Sequence, residues 1–126
     1  MKVAIIGLGA ISPLHINAVK LAGCEIAALC DIDTARCEST LKRENLHCAV
    51  YDDYRRMLEN ERLDAVHICT PHYLHAEMVC ACLDRDIHVL CEKPLAIGKA
   101  QLLQIEKSIV RSKAQLGVCQ QNRFNA

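Results

Sequence analysis

A glycine pair and a distant carboxylate stand at a spacing that could grip a diphosphate and a vicinal diol. Gly7-Leu8-Gly9 follows the short apolar run Val3-Ala4-Ile5-Ile6, and Ser12-Pro13 opens a helix-periodic stretch just beyond it. A glycine at position 7 permits a tight turn, and one at position 9 lets the backbone approach a bulky anion. Free amides at the start of the helix, those of Ala10 and Ile11 among them, then face that anion. The third glycine of the dinucleotide fingerprint is replaced by Ser12, which is small enough for close helix–strand packing and is expected to cap the helix. Asp31 ends the next apolar run, roughly 20 residues past the turn, where a carboxylate accepts hydrogen bonds from adenosine ribose hydroxyls. Ile32 beside it belongs to the same expected contact set. A carboxylate in that place repels a 2′-phosphate, and no Lys or Arg follows until Arg36, so NAD is expected rather than NADP.

Positioning such groups requires strands alternating with helices, and the chain shows that alternation. Short apolar runs read as strands at Val3–Ile6, Glu25–Cys30, His47–Val50, Asp64–Cys69, Ile87–Cys91 and Val118–Gln121. Between them lie helix-periodic stretches. The first carries Leu14, Ala18, Leu21 and Ala22 as its expected buried face and stops at Gly23. Others run over 34–44, after a cap at Asp52 or Asp53 with Met57 and Leu58 inward, over 73–85 with Met78, Val79, Cys82 and Leu83 inward, and over 99–112 with Leu102, Ile105, Ile109 and Val110 inward. Right-handed crossovers then predict an α/β fold of the doubly wound Rossmann type. It is a parallel six-stranded sheet of order 3-2-1-4-5-6 with helices on both faces.

Composition narrows the function. Fifteen Lys and Arg balance fifteen Asp and Glu in 126 residues, leaving no net field for nucleic acid or an anionic membrane. One Phe, three Tyr and no Trp leave few rings on which bases could stack. No apolar run approaches a signal peptide or the ~20 residues of a membrane span, so a cytoplasmic protein is expected. Nine cysteines without a Cys-x-x-Cys pair are expected to be reduced and to pack as small hydrophobes.

Further motifs fall in a recognisable order: Thr70-Pro71-His72-Tyr73-Leu74-His75, Cys91-Glu92-Lys93-Pro94-Leu95-Ala96 and Gln121-Asn122-Arg123-Phe124. Together with the glycine turn and Cys30-Asp31-Ile32-Asp33, the chain resembles the N-terminal domain of the glucose–fructose oxidoreductase, inositol dehydrogenase and MocA family. The Glu-Lys-Pro signature is the specific part, and the resemblance spans essentially the whole chain. It implies NAD(P)-dependent hydride transfer at a hydroxyl-bearing carbon of a sugar, polyol or cyclitol. Lys93 matches the family's signature lysine, which assists proton transfer. An ammonium at a strand's carboxyl end stabilises developing alkoxide charge, and partial burial would tune it for that task. The resemblance implies that Glu92 and Pro94 shape the nicotinamide side, and that Thr70, Pro71 and His75 line the dinucleotide.

Residues 1–121 are expected to form the cofactor domain, with 122–126 beginning the connection to a substrate domain, since the resemblance implies a chain several times longer. The isolated domain is then expected to bind NAD weakly, to turn over nothing and to expose apolar surface after Val118 that promotes self-association. A homo-oligomer is the expected assembly. No metal ligand set is apparent: His72 and His75 share a helical turn but lack a third ligand nearby. His67 and His88 read as satisfied strand residues, and His15 and His47 carry no signal. A non-catalytic NAD(H)-sensing module is the alternative function. A methyltransferase also pairs a glycine loop with a strand-end acid, but has no use for Glu92-Lys93-Pro94.

Overall fold

The computed structural model describes residues 1–120. Gln121, the Asn122-Arg123-Phe124 segment and the expected connection over 122–126 lie outside the described residues. Six strands, β1 (Lys2–Ile6), β2 (Glu25–Cys30), β3 (Ala49–Tyr51), β4 (Ala65–Ile68), β5 (His88–Glu92) and β6 (Leu116–Cys119), form one parallel sheet in the order β3-β2-β1-β4-β5-β6. The crossovers are helices α1 (Ser12–Leu21), α2 (Thr34–Glu44), α3 (Tyr54–Asn60), α4 (His75–Leu83), which follows a 3₁₀ turn at His72–Leu74, and α5 (Lys99–Arg111). The doubly wound architecture expected from the alternation is the one observed.

Alternate strand residues feed two cores, as the pleat requires. Val3 and Ile5 pack with Ile16, Val19 and Cys37 beneath α1 and α2, while Ala4, Ile6, Val66 and Ile68 pack with α3, α4 and Ile105 of α5. Local chemistry sets the helix ends. Asp33 and Asp53 accept the amides of Ala35 and Arg55 at the starts of α2 and α3, each leaving fewer orphan donors. After α1, the amides of Gly23 and Cys24 return to the carbonyls of Lys20 and Val19 in a Schellman turn.

Two helix faces differ from expectation. In α1 the buried residues are Ser12, His15, Ile16 and Val19, whereas Leu14 and Leu21 are 66% and 80% exposed. The rotation of α1 is fixed by the glycine loop rather than by its own apolar count, because Ser12 is pinned against that loop. Ser12 does not cap: it is already helical, Ile11 holds the cap position, and the Ser12 hydroxyl donates back to the Gly9 carbonyl at 2.8 Å. In α5 only Ile105 and Ser108 are buried, while Leu102, Ile109 and Val110 face outward. That helix lies against α4, with the small Ser108 buried in α5. The sixth strand also begins two residues earlier than expected, at Leu116.

Candidate cofactor-binding site

The carboxyl ends of β1, β2 and β4 meet at the glycine turn, where strand order reverses. Such a switch point opens the crevice in which doubly wound folds bind ligands. Gly7 has φ +88°, and a Cβ there would stand 2.8 Å from the backbone of Cys69 and Thr70. Only glycine fits. Its amide donates to the Cys30 carbonyl at 2.8 Å. Gly9 is different: nothing lies within 4 Å of where its Cβ would be. Among the described residues, none crowds Gly9 into being glycine, which leaves room there for an outside group.

Asp31 stitches the turn to β2. It is only 7% exposed, and its Oδ2 accepts the Leu8 amide at 2.7 Å while its Oδ1 accepts the Asp33 amide at 2.9 Å. With those bonds made, the amides of Gly9, Ala10 and Ile11 have no acceptor among the described residues. They sit at the N-terminal end of α1, where the helix dipole adds partial positive charge. Each carboxylate oxygen of Asp31 still has acceptor capacity for a hydroxyl.

A cleft of about 570 Å³ opens beside this turn, lined by Gly7, Asp31, Ile32, Thr70, Pro71 and Leu74 among others. Ile32 stands 93% exposed at its rim. Arg36 also lines the cleft, one helical turn past Asp33, whose carboxylate holds it at 3.5 Å. Counting residues along the chain made Arg36 look remote, whereas α2 returns it to the rim.

The Glu-Lys-Pro segment ends β5. Lys93 is exposed, so the partial burial expected around it is not supplied by the described residues. Glu92 does not point freely at a ligand: its Oε1 lies 3.0 Å from His15 Nε2, and its Oε2 accepts the Lys93 amide at 3.3 Å. His15 in turn approaches His67, Nδ1 to Nδ1, at 3.1 Å. Burial first, and the neighbouring His15 ring second, push His67 down to about 4. His15 was invisible to local patterning because its partners are 52 and 77 residues away. The apolar phase read from the sequence put Leu14 inward in its place.

His75, expected to line the dinucleotide, is buried rather than open to the cleft. It is 1% exposed, and its two ring nitrogens lie 2.8 Å from the carbonyls of Pro94 and Thr70. The ring thus ties the loop after β4 to the Glu-Lys-Pro loop. His72 is exposed. The nine cysteines are free, five of them buried. Burial chiefly raises Cys30 and Cys82 to about 12 and Cys37 to about 11, which makes these thiols poor nucleophiles at neutral pH.

A glycine turn at a switch point, three unpaired amides at a helix start and an acid at the end of the neighbouring strand define a dinucleotide-binding α/β domain. Comparison with known proteins refines this class. Residues 1–120 match the oxidoreductase family with an NAD-binding Rossmann fold, GFO_IDH_MocA, and the chain belongs to that family. It is 33% identical to an inositol 2-dehydrogenase of Pseudarthrobacter chlorophenolicus over 132 aligned positions, covering 100% of this chain and 38% of that protein. An inositol 2-dehydrogenase of Arthrobacter sp. is 35% identical with the same coverage. Among solved structures, the myo-inositol dehydrogenase of Lactobacillus casei in complex with NAD(H) and myo-inositol superposes with TM-score 0.90 at 28% identity, over 99% of this chain and 38% of that one. The WlbA dehydrogenase of Chromobactrium violaceum in complex with NADH and UDP-GlcNAcA gives TM-score 0.90 at 29% identity, over 99% and 36%. The chain therefore spans about 38% of the length of the curated relatives it matches. No helix among the described residues is long and apolar enough to cross a membrane.

Proposed function

We propose that the chain is the cofactor domain of an NAD(H)-dependent oxidoreductase acting on a hydroxyl-bearing carbon of a polyol, cyclitol or sugar. The observation that carries this is the contrast between the two glycines, one required by the chain's own backbone and the other, among the described residues, facing open space beside amides without acceptors. NAD supplies the hydride acceptor and donor when bound. The chain's own groups do the rest. The amides of Gly9, Ala10 and Ile11 receive the diphosphate, Asp31 accepts the ribose hydroxyls and disfavours a 2′-phosphate, and Ile32, Thr70 and Pro71 line the cleft. Lys93 holds or takes the hydroxyl proton, with Glu92 orienting its backbone through the Lys93 amide. A substrate domain after residue 121 closes over Lys93 and supplies the substrate contacts, and the assembled protein is a homo-oligomer. The relatives' inositol and nucleotide-sugar ligands favour a polyhydroxylated substrate, and the balanced charge offers nothing for nucleic acid or a membrane.

Calorimetric titration with NAD and with NADP tests the cofactor assignment, with Asp31→Asn as the control that keeps one acceptor oxygen while removing the charge. Binding of NAD in preference to NADP, with that preference reduced in Asp31→Asn, is expected. Equal binding of both, or ligand-induced chemical-shift changes that avoid residues 7–12 and 31–32, would overturn it.

A further inference from the structure

The sheet face beneath α1 carries a polar cluster that cofactor binding does not explain. Parallel register places Leu90 beside both His67 and Gly117, and Glu92 beside Cys119, so His67, Glu92 and Cys119 all belong to that one face. Helix α1 lowers His15 onto it. The result is that one ligand atom each from His15, Glu92 and Cys119 lies within 4.8 Å of the other two. His15 is buried, and Glu92 and Cys119 are half-buried.

We propose that His15 Nε2, the Glu92 carboxylate and Cys119 Sγ form a binding site for a zinc-class divalent cation. Imidazole, carboxylate and thiolate together match the borderline-soft ligand preference of Zn²⁺ and are wrong for Mg²⁺ or Ca²⁺, which take oxygen ligands. Bonds of roughly 2.0–2.3 Å in a tetrahedral arrangement hold ligand atoms roughly 3.3–3.8 Å apart. Small side-chain rotations reach that spacing from the 3.0 Å between His15 Nε2 and Glu92 Oε1 and from a cluster spanning at most 4.8 Å. Three protein ligands leave the fourth position for water.

The outer shell is also present. A metal-bound imidazole needs a partner for its other nitrogen, and His67 Nδ1 stands 3.1 Å from His15 Nδ1 with the rings edge to face. Without a cation, His15 Nε2–H donates to Glu92 and His67 Nδ1–H donates to His15. With the cation, both rings change tautomer: His15 Nδ1–H donates to His67 Nδ1, and His67 carries its proton on Nε2. Each ring keeps one proton, and the proton released is the Cys119 thiol's. The site already gathers imidazole, carboxylate and thiol within reach of a single ion. The ligands come from α1, β5 and β6, so the ion would clip the outer strands to the helix that follows the glycine loop.

Titration of the chain with Co²⁺ tests this independently of any nucleotide. One equivalent should produce a thiolate-to-cobalt charge-transfer band with intense low-coordination visible bands, which Zn²⁺ then abolishes. The charge-transfer band should disappear in Cys119→Ser and persist in Cys24→Ser. His67→Ala should weaken binding by about 10–100-fold. Cys119 is a half-buried residue of the edge strand, so its serine variant decides the matter even if His15→Gln fails to fold. Absence of the band in the native chain, or its survival in Cys119→Ser, would overturn the site.

Discussion

Replacing each glycine of the turn by alanine separates a glycine needed by the fold from one needed by a ligand. In Gly7→Ala the new methyl carbon would stand 2.8 Å from three backbone atoms of Cys69 and Thr70, in a residue held at φ +88°. A left-handed non-glycine residue costs about 1–2 kcal/mol. The overlap costs about 1–3 kcal/mol more, because the backbone just past the end of a central strand cannot swing aside like a side-chain tip. The total of about 2–5 kcal/mol is a large part of a stability of about 5–15 kcal/mol. At roughly 4 °C per kcal/mol for a domain of this size, the melting midpoint should fall by roughly 8–20 °C. Gly9→Ala meets nothing within 4 Å, and its stability should stay within about 0.5 kcal/mol of the native chain. Its methyl group nonetheless projects where the diphosphate would rest, and NAD affinity should drop at least about tenfold, some 1.4 kcal/mol. Thermal melts followed by circular dichroism and calorimetric NAD titration read the two effects separately. If Gly9→Ala melted as early as Gly7→Ala, or bound NAD like the native chain, the assignment of the two glycines would be refuted.

Other perturbations test the same packing. Ile16→Ala should cost about 2–5 kcal/mol and Leu14→Ala less than about 0.5 kcal/mol, because Ile16 is 0% and Leu14 66% exposed; denaturant midpoints check the inward phase of α1. His75→Leu removes the donor that faces the Thr70 and Pro94 carbonyls and should lower stability by about 1–3 kcal/mol, with faster amide exchange in both loops. Alkaline pH should unfold the chain. Thiols with an ordinary value of 9.0 are raised in the folded state to about 12 for Cys30 and Cys82 and about 11 for Cys37. Their contribution is therefore complete below pH 9 and is lost as pH rises toward the folded values. By pH 11 each thiol has lost about 2–3 kcal/mol of stabilisation, together comparable with the whole stability. Thiolate absorbance and ellipticity should change together between about pH 10 and 11, and the Cys82→Ala and Cys30→Ala variants should shift that transition upward.

Much of this protein was legible from local chemistry. The alternation of four- to six-residue apolar runs with helix-periodic stretches specifies parallel strands and their crossovers, because each period exposes a different set of side chains to a core. Handedness then leaves few possible strand orders. The glycine turn after the first strand and the acid at the end of the second were readable as positions, because turn and strand ends are marked within a few residues.

What tertiary structure alone decided lies where one element meets another. The inward face of α1 follows from the docking of Ser12 on the glycine loop, and that docking turns His15 rather than Leu14 toward the sheet. Asp31 braces Leu8 across a separation of 23 residues, and His75 spans two loops whose meeting no periodicity foretells. His15, Glu92 and Cys119 became one cluster through strand register and the docking of α1 together. A sequence records spacing along one dimension, while hydrogen bonds and metal ligands are chosen by distance in three.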